Sequence, residues 1–118
     1  MNQEELRDRT KKFALRIIKL VESMPNTITG RAIGNQLVRS GTSVAANYRA
    51  ACRGRSKAEF NAKLHIALEE EDESLFWLEI LEDSQIFPSG KLENIITEAN
   101  ELTAIFARAY KTAKDNKE

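Results

Sequence analysis

Gln36-Leu-Val-Arg-Ser-Gly-Thr-Ser-Val-Ala-Ala-Asn-Tyr-Arg49 carries two unlike rows on one helix. At about 100° per residue, Ile33, Leu37, Val44 and Tyr48 line up as an apolar stripe. About a quarter-turn away, Gln36, Ser40, Ser43 and Asn47 form a narrow polar stripe, with Arg39 at its edge. In a bundle interior those groups must find partners or lose about 1 kcal/mol or more each. Two readings follow: a structural helix-to-helix network that sets register, or a row facing a neighbouring subunit or a central pore.

The flanking sequence supplies the helices such a row needs. Only two prolines and five glycines occur in 118 residues, which favours long uninterrupted elements. Upstream, Phe13, Ile17, Leu20, Val21 and Met24 keep helical spacing until Pro25 stops it. Residues Met1 to about Arg9 are polar and are expected to fray. Thr27 or Thr29 offers a cap for the second helix, and Gly41 with Ala45, Ala46, Ala50 and Ala51 suggests a closely approaching neighbour. Ser56-Lys-Ala-Glu59 has capping-box spacing and opens a long third helix with the core row Phe60, Leu64, Ala67, Glu71, Leu75, Leu78. Phe87-Pro88-Ser89-Gly90 breaks the chain, and Ser89 offers a cap for a fourth helix running through Leu92, Ala99, Leu102 and Phe106. The tail from Lys114 is polar. The expected fold is all-α, a single domain over 1–118: an antiparallel up-down-up-down four-helix bundle with helices at about 4–23, 29–53, 57–85 and 90–113.

Formal net charge is zero, yet charge is unevenly spread. Ser23 to Ala58 holds six bases and no acid, whereas Glu69 to Asp83 holds eight acids and no base. Such bipolarity serves pairing between segments or copies, or lets the basic half meet phosphate. No apolar run approaches the roughly 20 residues of a membrane span, no signal-peptide pattern opens the chain, and the lone Cys52 cannot form an internal disulfide, so a cytoplasmic location is expected.

Catalytic and metal chemistry find little footing. A di-metal carboxylate bundle needs two Glu-x-x-His pairs, but the one histidine, His65, follows Ala62 rather than a glutamate. Ser40, Ser43 and Cys52 lie on a different helix from that imidazole, so no nucleophile has a base beside it. No metal, no cofactor and no enzymatic activity are expected. Glu71 is the anomaly, a carboxylate on the core row; an Arg39 bond to Glu70, Glu71 or Glu73 would satisfy both helices. Ile18 on the first helix, and Ile66, Phe76, Trp77 and Ile80 on the third, lie off the core stripes and mark a candidate oligomer interface.

Gln36-x-x-Arg39-Ser40-x-x-Ser43-Val44-x-x-Asn47 resembles the signature of the four helix bundle protein family, also called the 23S rRNA intervening-sequence protein family. Glu59-Phe60, Lys63-Leu64, Ile66-Ala67-Leu68, Glu70, Glu73-Ser74 and Trp77-Leu78-Glu79 are similar to the family's third helix, and the likeness spans nearly the whole chain. Many relatives have a small residue in place of Glu71, so Glu70 and Glu73 are the carry-overs. The resemblance implies a small bacterial bundle without enzymatic activity, assembled with itself, as a pentamer in relatives. It also implies, through a branch that accompanies diversity-generating retroelements, partners among RNA or DNA and a reverse transcriptase.

Together these readings assign a structural polar network to Gln36, Arg39, Ser40, Ser43, Asn47, Glu70 and Glu73. Candidate phosphate contacts are Arg31, Arg49, Arg53, Arg55 and Lys57. The functional expectation is a homo-oligomeric accessory factor for nucleic acid, the alternative being a protein–protein assembly module without a nucleic-acid role.

Overall fold

The computed structural model describes residues 1–115. Four helices follow one another as α1 (Gln3–Glu22), α2 (Ile28–Cys52), α3 (Lys57–Ser84) and α4 (Glu93–Asp115). Short connections fold them into an up-down-up-down bundle of 50 × 21 × 19 Å. α2 packs on α1 and α3, α4 packs on α3, and α1 and α4 close the ring with the smallest contact. α1 and α3 sit on a diagonal, their backbones apart and only their side chains sharing the core.

Local chemistry fixes most helix ends. Asn2 Oδ1 accepts from the Glu5 N–H at 2.8 Å, while Glu5 Oε1 accepts from the Asn2 N–H at 3.2 Å. This reciprocal cap answers two orphan amides. The expected fraying up to Arg9 is therefore corrected: α1 is helical from Gln3, Leu6 is buried, and Arg9 is clasped to α4. Thr27 Oγ1 caps α2 by accepting from the Gly30 N–H at 3.0 Å, and Ser56 Oγ caps α3 by accepting from the Glu59 N–H at 3.1 Å. The expected start of α4 at 90 is also corrected. Gly90 has φ +85°, outside any helical path, so the helix begins only at Glu93 and Ser89 stays in the turn. α4 runs to Asp115, and the rest of the polar tail lies outside the described residues.

The core is one continuous cluster. Phe13 and Ile17 of α1 meet Leu37 and Val44 of α2, Leu64, Leu78 and Leu81 of α3, and Leu102 and Phe106 of α4. Gly41 allows the tightest helix approach: a Cβ there would lie 2.9 Å from Ile17 Cγ2. The small residues after it do a different job. Ala51 is buried, but Ala46 is exposed and Ala45 and Ala50 are half-buried, so that stretch is only partly covered.

Glu71 sits in this core with no exposed surface, and both its carboxyl oxygens lack a hydrogen-bond partner. Burial, reinforced by repulsion from Glu98, pushes its pKa from 4.5 to about 9. The folded protein thus holds a proton that the unfolded chain releases above the ordinary carboxylate range. Stability contributed by that proton is complete at acid pH, falls as pH rises from about 4.5, and is gone by about 9.

Two stability outcomes follow. Glu71→Met should stabilise the bundle at pH 7 by about 1–3 kcal/mol and flatten the dependence of the urea midpoint on pH between 5 and 9; an unchanged slope would show that Glu71 is not its source. Gly30→Ala should destabilise by more than the ~1 kcal/mol that alanine's helix propensity returns, because its Cβ would lie 2.1 Å from the Pro25 carbonyl oxygen, a backbone atom of the α1–α2 turn. A midpoint at or above wild type would contradict that clash.

Candidate functional site

The polar row of α2 lies along the seam with α3, and only its centre is interior. Ser40 is fully buried, Ser43 and Asn47 are half-buried, and Gln36 and Arg39 are exposed. The expectation of a wholly interior row is corrected for a geometric reason: a stripe a quarter-turn from the core stripe falls on the edge of the helix contact. At the centre, Ser74 Oγ donates to Ser40 Oγ at 2.8 Å, or the reverse, and a second bond joins Ser74 Oγ to the Glu70 carbonyl at 2.9 Å. Asn47 Nδ2 turns back onto its own helix, donating to the Ser43 carbonyl and to Ser43 Oγ, each at 2.9 Å.

Above that buried pair sits a clamp. Arg39 Nη1 donates to Glu70 Oε2 at 2.8 Å, and Arg39 Nη2 donates to Glu73 Oε2. Glu73 Oε2 also accepts from Trp77 Nε1 at 3.1 Å, and Gln36 Oε1 accepts from Arg39 Nε at 3.4 Å. The Trp77 N–H and then the guanidinium hold the Glu73 carboxyl below its ordinary pKa, while Glu73 and Glu70 raise that of Arg39. Arg39 does not reach Glu71. Ser74 and Trp77 complete the network, though sequence spacing had not assigned them to it. Their signal was present, since both follow Glu70 at helical intervals.

A second clasp had no signal in the sequence. Arg9 Nε and Nη2 donate to the two oxygens of Glu98 at 2.8 and 2.7 Å, and Nη2 also donates to Glu101 at 2.7 Å. Its partners lie 89 and 92 residues away, and it ties α1 to α4 where their apolar contact is thin. Glu98, chiefly, holds the guanidinium proton more tightly than usual.

The candidate phosphate contacts do not form one patch. Arg31 stands in the first turn of α2, donating from Nη1 to Asn26 Oδ1 at 2.8 Å. That is roughly 27 Å along the helix from Arg49 at 1.5 Å per residue. Arg49, Arg53, Arg55 and Lys57 all lie at the opposite end, around the α2–α3 turn. Chain topology adds cations there. The Tyr110 ring lies 4.8 Å from that of His65 and the Phe106 ring 5.5 Å from that of Tyr48, so the last turns of α4, with Arg108, Lys111 and Lys114, join the same end. Among the described residues neither Arg49 nor Arg53 makes an ion pair.

The candidate interface residues are likewise divided. Ile66 and Phe76 are exposed, while Trp77 and Ile80 pack partly onto the core. Ile18 lies on α1, diagonal to α3, so it belongs to a separate surface. His65 is surface-exposed beside Glu69 at 3.6 Å, and Cys52 is a half-buried free thiol. Among the described residues no three His, Cys, Asp or Glu side chains cluster to hold a metal, and no helix is long and apolar enough to cross a membrane.

These features define a class: a small four-helix bundle with a polar α2–α3 seam and a cluster of cations at one end. The chain belongs to the 23S rRNA-intervening sequence protein family, whose model matches residues 3–108. A solved structure from Bacteroides thetaiotaomicron, a protein of unknown function from the S23 ribosomal protein family, superposes with a TM-score of 0.85. It shares 32% identity over 94% of this chain and 99% of its own. Comparison with curated proteins gave no match.

The seam can be tested in the monomer and in any assembly with one substitution. Arg39 is half exposed, so Arg39→Ala should cost an isolated bundle no more than about 1 kcal/mol. A loss above about 3 kcal/mol, read from the denaturation midpoint at micromolar concentration, would mean that the clamp is desolvated by a neighbouring subunit.

Proposed function

We propose that this protein is a non-enzymatic, homo-oligomeric accessory factor that associates with RNA or DNA through the basic end of its bundle. One observation carries the reading. The arginines that serve the fold, Arg9 and Arg39, are each held by two glutamates. Arg49 and Arg53, one turn apart on α2, have no ion-pair partner among the described residues, so their charge is available to a polyanion. The family description, an intervening-sequence protein of 23S rRNA, agrees with a nucleic-acid setting.

Self-association has its own support. Leu15 on α1 is 52% exposed and Phe76 on α3 is 50% exposed. The two helices sit on a diagonal, so these apolar surfaces face away from one another. Two unlike patches on opposite sides are what a head-to-tail contact requires, and such contacts give a ring when the rotation between subunits closes; a five-membered ring is the form that the resemblance favours. With the helices aligned, every subunit would present its basic end on one side of the ring.

Size-exclusion chromatography with light scattering, with and without RNA, tests both halves. The expected outcome is an oligomer at micromolar concentration whose retention of RNA weakens by roughly 0.7–0.9 log units per phosphate contact for each decade of salt. A ring indifferent to RNA at low salt would leave an assembly module; a monomer indifferent to RNA would remove both readings.

A further inference from the structure

The candidate phosphate contacts read from sequence all follow one another on α2 and the α2–α3 turn. The fold sets other cations beside them. The first two turns of α1 run alongside the last turns of α2, and between them lies an open groove of about 880 Å³. Its walls carry Arg7 and Lys11 from α1 and Arg49 and Arg53 from α2, and its floor includes the side chains of Ala45 and Ala46. Arg49 and Arg53 also border a second, shallower depression on the α3 side, where Lys63 stands. The two arginines therefore form a ridge with a cation-bearing helix on either flank.

Position, together with free charge, marks these cations out. Among the described residues, Arg7, Lys11, Arg49, Arg53 and Lys63 make no salt bridge. Three acids, Glu4, Glu5 and Asp8, share the groove with the four cations; Glu5 is held at the α1 cap and Asp8 is paired with Lys12 at 3.0 Å, which leaves the lining net positive. Glu4 has no ion-pair partner among the described residues. No aromatic ring lines either depression, so neither offers an aromatic platform on which successive bases would stack. The alanine floor leaves room for a bulky chain to approach the helix surface.

We propose that this three-helix cationic surface binds the sugar–phosphate backbone of double-stranded nucleic acid independently of sequence, with Arg7 and Lys11 as phosphate contacts equal in weight to Arg49 and Arg53. The proposal rests on the nucleic-acid reading above and adds to it α1 as a second contact rail and a duplex backbone as the ligand. Positioning by phosphate contacts with no base-edge readout is the expected mode.

Fluorescence anisotropy at 50 to 300 mM salt, on labelled 20-base-pair RNA and DNA duplexes and on the single strands, tests it with four proteins. These are wild type, Arg49→Gln/Arg53→Gln, Arg7→Gln/Lys11→Gln, and Arg16→Gln/Lys19→Gln. The last removes two exposed charges from α1 beyond the groove and controls for net charge. All altered positions are exposed, and circular dichroism melts check that each variant folds.

The expected result is that wild type binds both duplexes, whatever their sequence, at least as well as the single strands. Each groove variant should lose about tenfold or more in affinity, and its slope of log K against log salt should fall by about 1.8 for two lost duplex contacts, while the control changes by less than twofold. If Arg49→Gln/Arg53→Gln loses affinity and Arg7→Gln/Lys11→Gln does not, the α1 rail is wrong while the nucleic-acid reading survives. Equal losses in the control would reduce the groove to bulk charge and overturn it. Preference for one single-strand sequence would overturn the backbone mode. No binding by wild type at 50 mM salt would remove the nucleic-acid reading itself.

Discussion

α1 rests on α2 where Gly41 has no side chain, and Ile17 fills the space that a Cβ would take. This contact sets the rotation of α2 about its own axis. With Gly41 turned toward α1, Leu37, Val44 and Tyr48 enter the core, and Ser40 arrives at the α3 interface. Rotation by one residue would carry Ser40 away from Ser74 and bring a larger side chain against Ile17. A 25-residue helix is rigid enough for one close contact to orient its whole length. The clamp from Arg39 to Glu70 and Glu73 and the ridge of Arg49 and Arg53 both depend on that orientation.

The seam and the buried acid show opposite solutions to the same problem. Ser40 and Ser74 are polar and wholly buried, yet each hydroxyl has a partner, so the pair contributes to register at little desolvation cost. Glu71 is equally buried and has none. Arg39, the cation expected to answer it, is drawn to Glu70 and Glu73 because these lie on the α3 edge facing α2, whereas Glu71 is rotated about 100° further toward the middle of the bundle. Its nearest charged influence is Glu98, itself held by Arg9. A protonated carboxyl is the consequence, and the fold carries that cost.

The bundle itself was legible in the sequence because its signals are local. Helical periodicity, Pro25, the caps at Thr27 and Ser56, and the Gly90 turn each act within a few residues, and the helix bounds follow them closely. The Arg39 clamp was legible in part, since a charged residue at the edge of a polar row calls for a carboxylate on the next helix. What stayed hidden depends on the third dimension. Arg9 meets Glu98 across 89 residues with no periodic cue. The asparagine that anchors α1 looks, in sequence, like part of a fraying end. The interior reading of Gln36 failed because a quarter-turn separates core from edge, and spacing alone does not say which side of that line a polar row occupies.

The basic residues show most clearly how linear reading misleads. Arg31 belongs with Arg49, Arg53, Arg55 and Lys57 when charge is counted along the chain, because no acid interrupts the run. In space the run spans the long axis of α2, and its first member is used near the α1–α2 turn by Asn26. Conversely, Arg7 and Lys11 sit among acids in sequence and look neutralised. In space they stand beside Arg49 and Arg53, so the groove lining holds four cations against three acids, one of which is paired with Lys12. An antiparallel bundle sorts residues by height along its axis rather than by chain position. A protein of zero net charge can therefore carry a strongly polarised field, with cations gathered around the α2–α3 turn and the acids of α3 toward the other end. The neutral total thus says little about the charge that either end of the bundle presents.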